Sequence, residues 1–308
     1  MVEPSEPPLR FGLIGLGVMG AAFADRLCGL GLGVVAHDVD GRAVHNLLER
    51  HAGLAMAGSA LHDVADRCDV LLLSLPTSGD VERALRGPDG LARVVDPPTV
   101  VIDLTSGDPA ISGRLHGELA ARGIGFLDVG VSGGPGPARH GTLSLMVGGD
   151  ADVVKRWDGV LGRFGSAIFH VGPPGAGHAT KALNNLLSAA HRVLFCEAIV
   201  LAAKMDLPLD RVAEAIASGS GRDYASETFT ARVLGGRQRL GFRLALMRKD
   251  VETALRMGAR HDVPMPAANV VGELYRMILH TRGADADFGE VLTYFEQLSG
   301  VQIAPPAD

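Results

Sequence analysis

This sequence predicts an α/β fold: a doubly wound, mainly parallel sheet, followed by an all-α C-terminal domain joined to it by a long helix. Three observations carry that reading. Short apolar runs alternate with helically spaced segments as far as Val171. A glycine-rich turn, Gly15-Leu-Gly17-Val-Met-Gly20, lies where the first run meets the first helical segment. Beyond Gly172 the strand pattern stops and only helical spacing remains.

The expected strands are residues 10–14, 33–38, 70–75, 100–104, 126–129, 143–147 and 167–171, each a short run rich in Val, Ile or Leu. Residues 19–30 and 110–121 show helical apolar spacing between them. Strands alternating with helices argue for parallel pairing. Gly-Pro-Pro-Gly-Ala-Gly at residues 172–177 breaks the pattern. Helices are then expected over 178–205, 210–217, 245–261, 267–280 and 288–297. The first would be about 40 Å long, enough to bridge two domains, and Pro208 requires that it has ended by there. The expected division is a lead-in at 1–9, a first domain at 10–172 and a helical domain for substrate binding and oligomerisation at 173–308.

Composition narrows the function. With 308 residues, 47% of them hydrophobic, the chain can bury a large core. A net charge of −6 with no basic stripe argues against nucleic acid. No apolar run approaches the roughly 18 residues that span a bilayer, so no membrane is expected. The opening MVEPSEPPLR, with its acids and prolines, reads as a disordered lead-in and not as a signal peptide. Cys28, Cys68 and Cys196 sit among apolar neighbours without a C-x-x-C pair, as reduced thiols of a cytoplasmic protein do. The 11 histidines lack metal-binding spacing, so no metal is expected.

The glycine turn predicts a nucleotide site. Its glycines permit a tight turn and close approach of backbone to a pyrophosphate, and the helix N-terminus adds N–H groups and partial positive charge. Gly15, Leu16, Gly17, Val18 and Met19 are therefore expected to bind a dinucleotide on a Rossmann-type sheet. Asp38, at the end of the second strand and 21 residues beyond Gly17, is placed to accept from the adenosine ribose and repel a 2′-phosphate, which favours NAD. Arg42 keeps NADP possible.

Chemistry points to Lys181. Only four of the 29 basic residues are lysines: Lys155, Lys181, Lys204 and Lys249. Lysine can titrate when desolvated, whereas arginine keeps its proton. Lys181 and Asn185 are four apart, on one face of the long helix. An amine that exchanges protons beside a fixed amide suits the hydroxyl of an alcohol being oxidised.

These motifs together resemble the β-hydroxyacid dehydrogenase family, which includes 3-hydroxyisobutyrate and tartronate semialdehyde enzymes. The resemblance spans residues 10–299 and rests on Gly12-Leu-Ile-Gly15-Leu-Gly17-Val-Met19-Gly20, Asp128-Val-Gly-Val-Ser132-Gly133-Gly134, Gly175-x-Gly177-x-x-x-Lys181-x-x-x-Asn185 and Leu246-Met-Arg-Lys249-Asp250. It implies that Lys181 is the general acid/base, that Asn185 holds the substrate, and that Ser132, Gly133 and Gly134 bind the substrate carboxylate. It also implies that Lys249 lies near nicotinamide and substrate, and that Leu75, Pro76 and Thr105 line the cofactor. Two departures bear on substrate geometry. Val129-Gly130 replaces the family's usual Ala-Pro, so glycine stands where proline would fix the backbone, and Thr105-Ser106 inverts its Ser-Thr order.

The expected function is hydride transfer between a nicotinamide cofactor and a small β-hydroxy acid or its semialdehyde. An imine reductase-like enzyme or a non-catalytic dinucleotide-binding protein are the alternatives, and retention of Lys181 with Asn185 argues against both. The apolar residues all round the long helix, among them Leu183, Leu187, Leu194 and Leu201, together with the resemblance, predict a homodimer or homotetramer. Arg222 and Ser226, in a stretch that resembles the family's helical-domain segment able to close over a substrate, or is an ordinary helix-linking loop, are candidates for selecting the far end of the substrate.

Overall fold

The computed structural model describes residues 9–90, 94, 99–235 and 239–303; apart from Leu9, the expected lead-in lies outside them. The chain divides into two compact units, Met1–Lys181 and Ala182–Asp308.

In the first unit eight strands form one sheet in the order β3-β2-β1-β4-β5-β6-β7-β8. They are β1 (Phe11–Ile14), β2 (Val34–His37), β3 (Ala55–Ala57), β4 (Val70–Leu73), β5 (Val100–Asp103), β6 (Gly125–Ser132), β7 (Leu143–Gly148) and β8 (Gly165–Gly172). Neighbours are parallel throughout except β6 with β7. The connecting helices are α1 (Val18–Gly29), α2 (Gly41–Arg50), α3 (Leu61–Ala65), α4 (Ser78–Arg86), α5 (Pro109–Ala120), α6 (Pro135–His140) and α7 (Ala151–Leu161). Asp40, Thr77 and Asp108 accept N–H groups at the starts of α2, α4 and α5.

Helices cover both faces of the sheet, so the central strands β1, β4 and β5 are buried at every position and mostly apolar. Phe11, Leu13, Val70, Leu72, Val100, Ile102, Leu127 and Val129 join one cluster, with Phe23 and Leu27 of α1 and Trp157 of α7. Ile14, Leu71, Leu73, Val101 and Phe126 join the other, with Val64, Val81, Leu85 and Leu115. The alternation is the strand period of two. It places Asp103, Asp128 and Gly130 on the second face, the one that carries the site.

The structure corrects several expected boundaries. β3 was not foreseen, because Ala-Met-Ala carries no strand signal; it pairs with β2. β2 ends at His37, leaving Asp38 just beyond it. β6 continues through Gly130 to Ser132, where a loop was expected after Val129. Gly130 therefore lies in a regular strand, opposite Met146, and is not a point of loosened backbone.

Helix α8 (Ala176–Lys204) begins in the first unit and continues into the second, which adds α9 (Leu209–Ser218), α10 (Tyr224–Phe229), a π-helical turn Thr230–Leu234, α11 (Leu244–Arg260), α12 (Pro266–Arg282) and α13 (Glu290–Ser299). Val193, Cys196, Ile199 and Val200 of α8 pack with Phe229, Leu244, Val251, Tyr275, Ile278 and Val291. The buried Tyr275 hydroxyl donates to the Ala189 carbonyl at 3.2 Å.

One expectation about this unit is overturned, and one segment is defined more closely. The segment that carries Arg222 and Ser226 contains α10, begun by a capping box: Asp223 accepts from Ser226 N–H at 2.6 Å, and Ser226 Oγ accepts from Asp223 N–H at 3.0 Å. Ser226 is buried and committed to that cap. Helix α8 is, by length and composition, apolar enough to cross a bilayer, contrary to the sequence reading. Its polar residues interrupt the run without lowering the average enough. Ala189, Val193, Cys196 and Ile199 are buried in the unit's core, and a core helix satisfies the same criterion.

Candidate active site

Turn Gly15–Gly17 joins β1 to α1 with the contacts a phosphate loop needs. Gly15 adopts φ +93°, and a Cβ there would lie 2.3 Å from the Ser74 carbonyl oxygen. A Cβ on Gly20 would lie 1.9 Å from the Gly15 carbonyl, so α1 rests directly on the turn. At Gly17 the situation is reversed: a Cβ would meet nothing within 4 Å. Open space in front of a helix start that has no side-chain cap fits a dinucleotide pyrophosphate, with Val18 and Met19 in the first turn of α1.

Asp38 is held against this loop. Its carboxylate accepts from Leu16 N–H at 2.6 Å and from Asp40 N–H at 2.8 Å. Arg42 is engaged by Asp40, with Nε 3.3 Å from Oδ1. Leu75 N–H donates to Thr105 Oγ1 at 3.1 Å, which ties the loop after β4 to the loop after β5. Thr105 is buried, so this hydroxyl acts as a tether between loops, while Pro76 is exposed beside it. All these residues lie at the carboxyl ends of β1, β2, β4 and β5, the end at which doubly wound sheets bind ligands.

Lys181 belongs to the same unit. Asp128, fully buried in β6, takes the Gly175 N–H on Oδ1 at 2.7 Å and the His178 N–H on Oδ2 at 2.8 Å. A buried carboxylate needs such donors, and a helix N-terminus attracts negative charge. Gly177 and Gly148 allow the approach: a Cβ on Gly177 would lie 2.1 Å from the Asp128 carbonyl, and one on Gly148 would lie 2.6 Å from Asp128 Oδ1. One turn later Lys181 passes over Gly130, where a Cβ would lie 2.5 Å from Lys181 Cβ. Four helical residues rise about 6 Å, and two strand residues about 6.6 Å; helix and strand stay in step. β6 then ends in Ser132-Gly133-Gly134, with φ 134° and 85° at the two glycines.

Beneath this turn lies a buried polar cluster that sequence reasoning missed. His178 places Nδ1 2.8 Å from Ser112 Oγ and Nε2 3.3 Å from the Asp103 carbonyl. Burial pushes the Asp103 carboxyl above its ordinary range, with the His178 charge opposing.

In the second unit Asp250 is the organising residue. It is 3% exposed and accepts from Asn185 Nδ2 at 2.5 Å, while Lys249 Nζ lies 3.1 Å from its other oxygen. The sequence reading assigned Asn185 and Lys249 and passed over Asp250, which reads locally like half of a surface ion pair.

Comparison with known proteins gives the family. Residues 10–172 match the family model described as the NAD binding domain of 6-phosphogluconate dehydrogenase. Residues 175–295 match the one described as the NAD-binding of NADP-dependent 3-hydroxyisobutyrate dehydrogenase. The chain belongs to the β-hydroxyacid dehydrogenase family. It is an NAD(P)-dependent oxidoreductase. A relative from Eubacterium barkeri, 2-(hydroxymethyl)glutarate dehydrogenase, is 32% identical over 97% of this chain and 99% of its own. The human mitochondrial 3-hydroxyisobutyrate dehydrogenase is 31% identical over 93% of this chain and 86% of its own. Among solved structures, Mycobacterium tuberculosis 3-hydroxyisobutyrate dehydrogenase with L-serine superposes with a TM-score of 0.81 at 28% identity, covering 94% of this chain and 99% of that one.

The two glycines of the loop should respond differently to substitution. Gly17→Ala adds a methyl into open space, so the thermal midpoint should hold while NADH affinity falls by roughly tenfold, since each tenfold corresponds to about 1.4 kcal/mol. Gly20→Ala, which meets the Gly15 carbonyl, should lower both. Fluorescence titration and melting curves read the two effects, and a Gly17→Ala enzyme that binds NADH as tightly as the parent contradicts the cradle.

Proposed function

We propose that this enzyme transfers a hydride between NAD and a small β-hydroxy acid of the 3-hydroxyisobutyrate kind, or its semialdehyde, with Lys181 as general acid/base. The observation that supports it best is the seating of Lys181 on Gly130, two residues before Ser132-Gly133-Gly134. One strand thus carries both the turn that presents the amine and a backbone suited to gripping a carboxylate. The molecules named for the relatives, 2-(hydroxymethyl)glutarate, 3-hydroxyisobutyrate and L-serine, all have a hydroxymethyl group on the carbon that bears a carboxylate. They differ in the third substituent. A fixed spacing between carboxylate grip and amine selects that shared frame.

When bound, the nicotinamide supplies the hydride acceptor. Lys181 takes the hydroxyl proton in oxidation, and its ammonium returns it in reduction. Ser132, Gly133 and Gly134 hold the carboxylate and so fix which carbon is presented, a large part of the rate. Asn185, anchored through Asp250, holds the substrate, and Lys249 on the same carboxylate adds positive charge. Asp38 selects NAD by opposing a 2′-phosphate, while Arg42 is drawn to Asp40. Cys28, Cys68 and Cys196 are buried and free, with burial pushing their thiols up to about 11, 12 and 12, which fits the cytoplasmic location we assign.

The proposal extends to assembly as a homodimer or homotetramer. Leu183, Leu187, Leu194 and Leu201 of α8 are exposed, the last three at seven-residue intervals along one face. A second copy of the chain is the partner proposed to cover them.

Three outcomes follow from this reading. Lys181→Ala should lower turnover by ~10²-fold or more with little change in cofactor affinity, measured by nicotinamide absorbance against a panel of 2-substituted 3-hydroxy acids; near-parental turnover removes the assignment. Steady-state kinetics should show NAD preferred over NADP, and the reverse preference would transfer the selecting role from Asp38 to Arg42. Light scattering at micromolar concentration should give a multiple of the 32.1 kDa chain mass, whereas a stable mass of one chain refutes the assembly.

A further inference from the structure

Gly130 lies inside β6, paired with Met146, and is not among the glycines at positive φ. Its backbone conformation is one that any residue adopts, so conformation does not explain glycine here. Space does. A Cβ at this position would lie 2.5 Å from Lys181 Cβ, 3.0 Å from the Gly177 carbonyl oxygen and 3.2 Å from Lys181 Cγ. By contrast, a Cβ on Gly134 or Gly136, just beyond the strand, would meet nothing within 4 Å. At residue 130 the close approach is to Lys181 and the Gly177 carbonyl, one turn on from where Gly177 meets the Asp128 carbonyl. It also falls where this chain departs from the Pro of the family's loop.

We infer that Gly130 is a positioning residue of the reaction: its missing side chain sets how closely the Lys181 turn of α8 lies on β6, and hence where the amine is presented. The inference rests on the proposed acid/base role of Lys181. Any side chain at residue 130 must displace that turn by about an ångström to restore ordinary carbon–carbon separation near 3.5 Å. The helix cannot retreat as a body. Its start is fixed one turn earlier, where Asp128 holds the Gly175 and His178 N–H groups and Gly177 lies against the Asp128 and Met146 carbonyls. The displacement is thus concentrated at Lys181. An ångström of misplacement in a reacting group can cost roughly 10²-fold in rate.

The test is a double-mutant cycle on the full-length enzyme with Gly130→Ala and Lys181→Ala. Gly130→Ala should lower kcat tenfold or more, with the NADH dissociation constant close to the parent's and a thermal midpoint lowered as overpacking requires. In the Lys181→Ala background the same substitution should cost no further activity, because its effect passes through the amine. A Gly130→Ala enzyme with kcat within twofold of the parent overturns the inference, as does an equal fractional loss in both backgrounds. If Lys181→Ala itself retains parental turnover, the acid/base reading fails, and that result is separate from either outcome at residue 130. Should Gly130→Ala not fold, it is combined with Lys181→Gly, which removes the opposing Cβ. Recovery of a cooperative melt in that double variant supports the close approach, and continued failure to fold overturns it.

Discussion

The bond between Asp128 and the start of α8 is the constraint on which the rest of this site depends. A carboxylate buried in a strand must find donors, and the first turn of a helix has N–H groups to give. Each satisfies the other, and the glycines between them let the two backbones approach to the limit of contact. Once this turn is fixed, helix geometry carries Lys181 to the level of Gly130. The sheet carries Ser132-Gly133-Gly134 to the same end as the phosphate loop. The proposed proton transfer and carboxylate binding, with the nucleotide loop, are thereby set relative to one rigid element, which is how a site keeps its geometry through a reaction.

Much of the fold was legible, for a physical reason. Strands covered on both faces must be apolar throughout, so β1, β4 and β5 announce themselves as unbroken runs. β3 did not, because three small or flexible residues gain their strand state only from pairing with β2. The end of β6 was misplaced because Gly130, Gly133 and Gly134 read as turn residues, although Gly130 serves packing. Helix α10 was hidden in a Ser- and Gly-rich stretch, where Asp223 and Ser226 supply a cap that composition alone does not separate from a loop.

The chemistry was legible as residues and not as relations. Lys181, Asn185 and Lys249 stood out by type and spacing. What holds them did not: Asp128 lies more than 40 residues before the helix it caps, and Asp250 faces Asn185 across 65 residues of chain. Both are ordinary acids in sequence and become informative only through burial. The family comparison supplies the scaffold and the reaction class. Gly130 stands where the family's loop usually has Pro, and its missing side chain lies directly against Lys181.

A crystal structure of the enzyme with NAD and a 2-substituted 3-hydroxy acid tests the central claim most directly. The account predicts Lys181 Nζ within roughly 2.6–3.2 Å of the substrate hydroxyl, with the carboxylate on the Ser132-Gly133-Gly134 backbone and the Asp128 carboxylate still holding α8. A substrate hydroxyl bound by another group, with Lys181 directed away from it, would contradict the account.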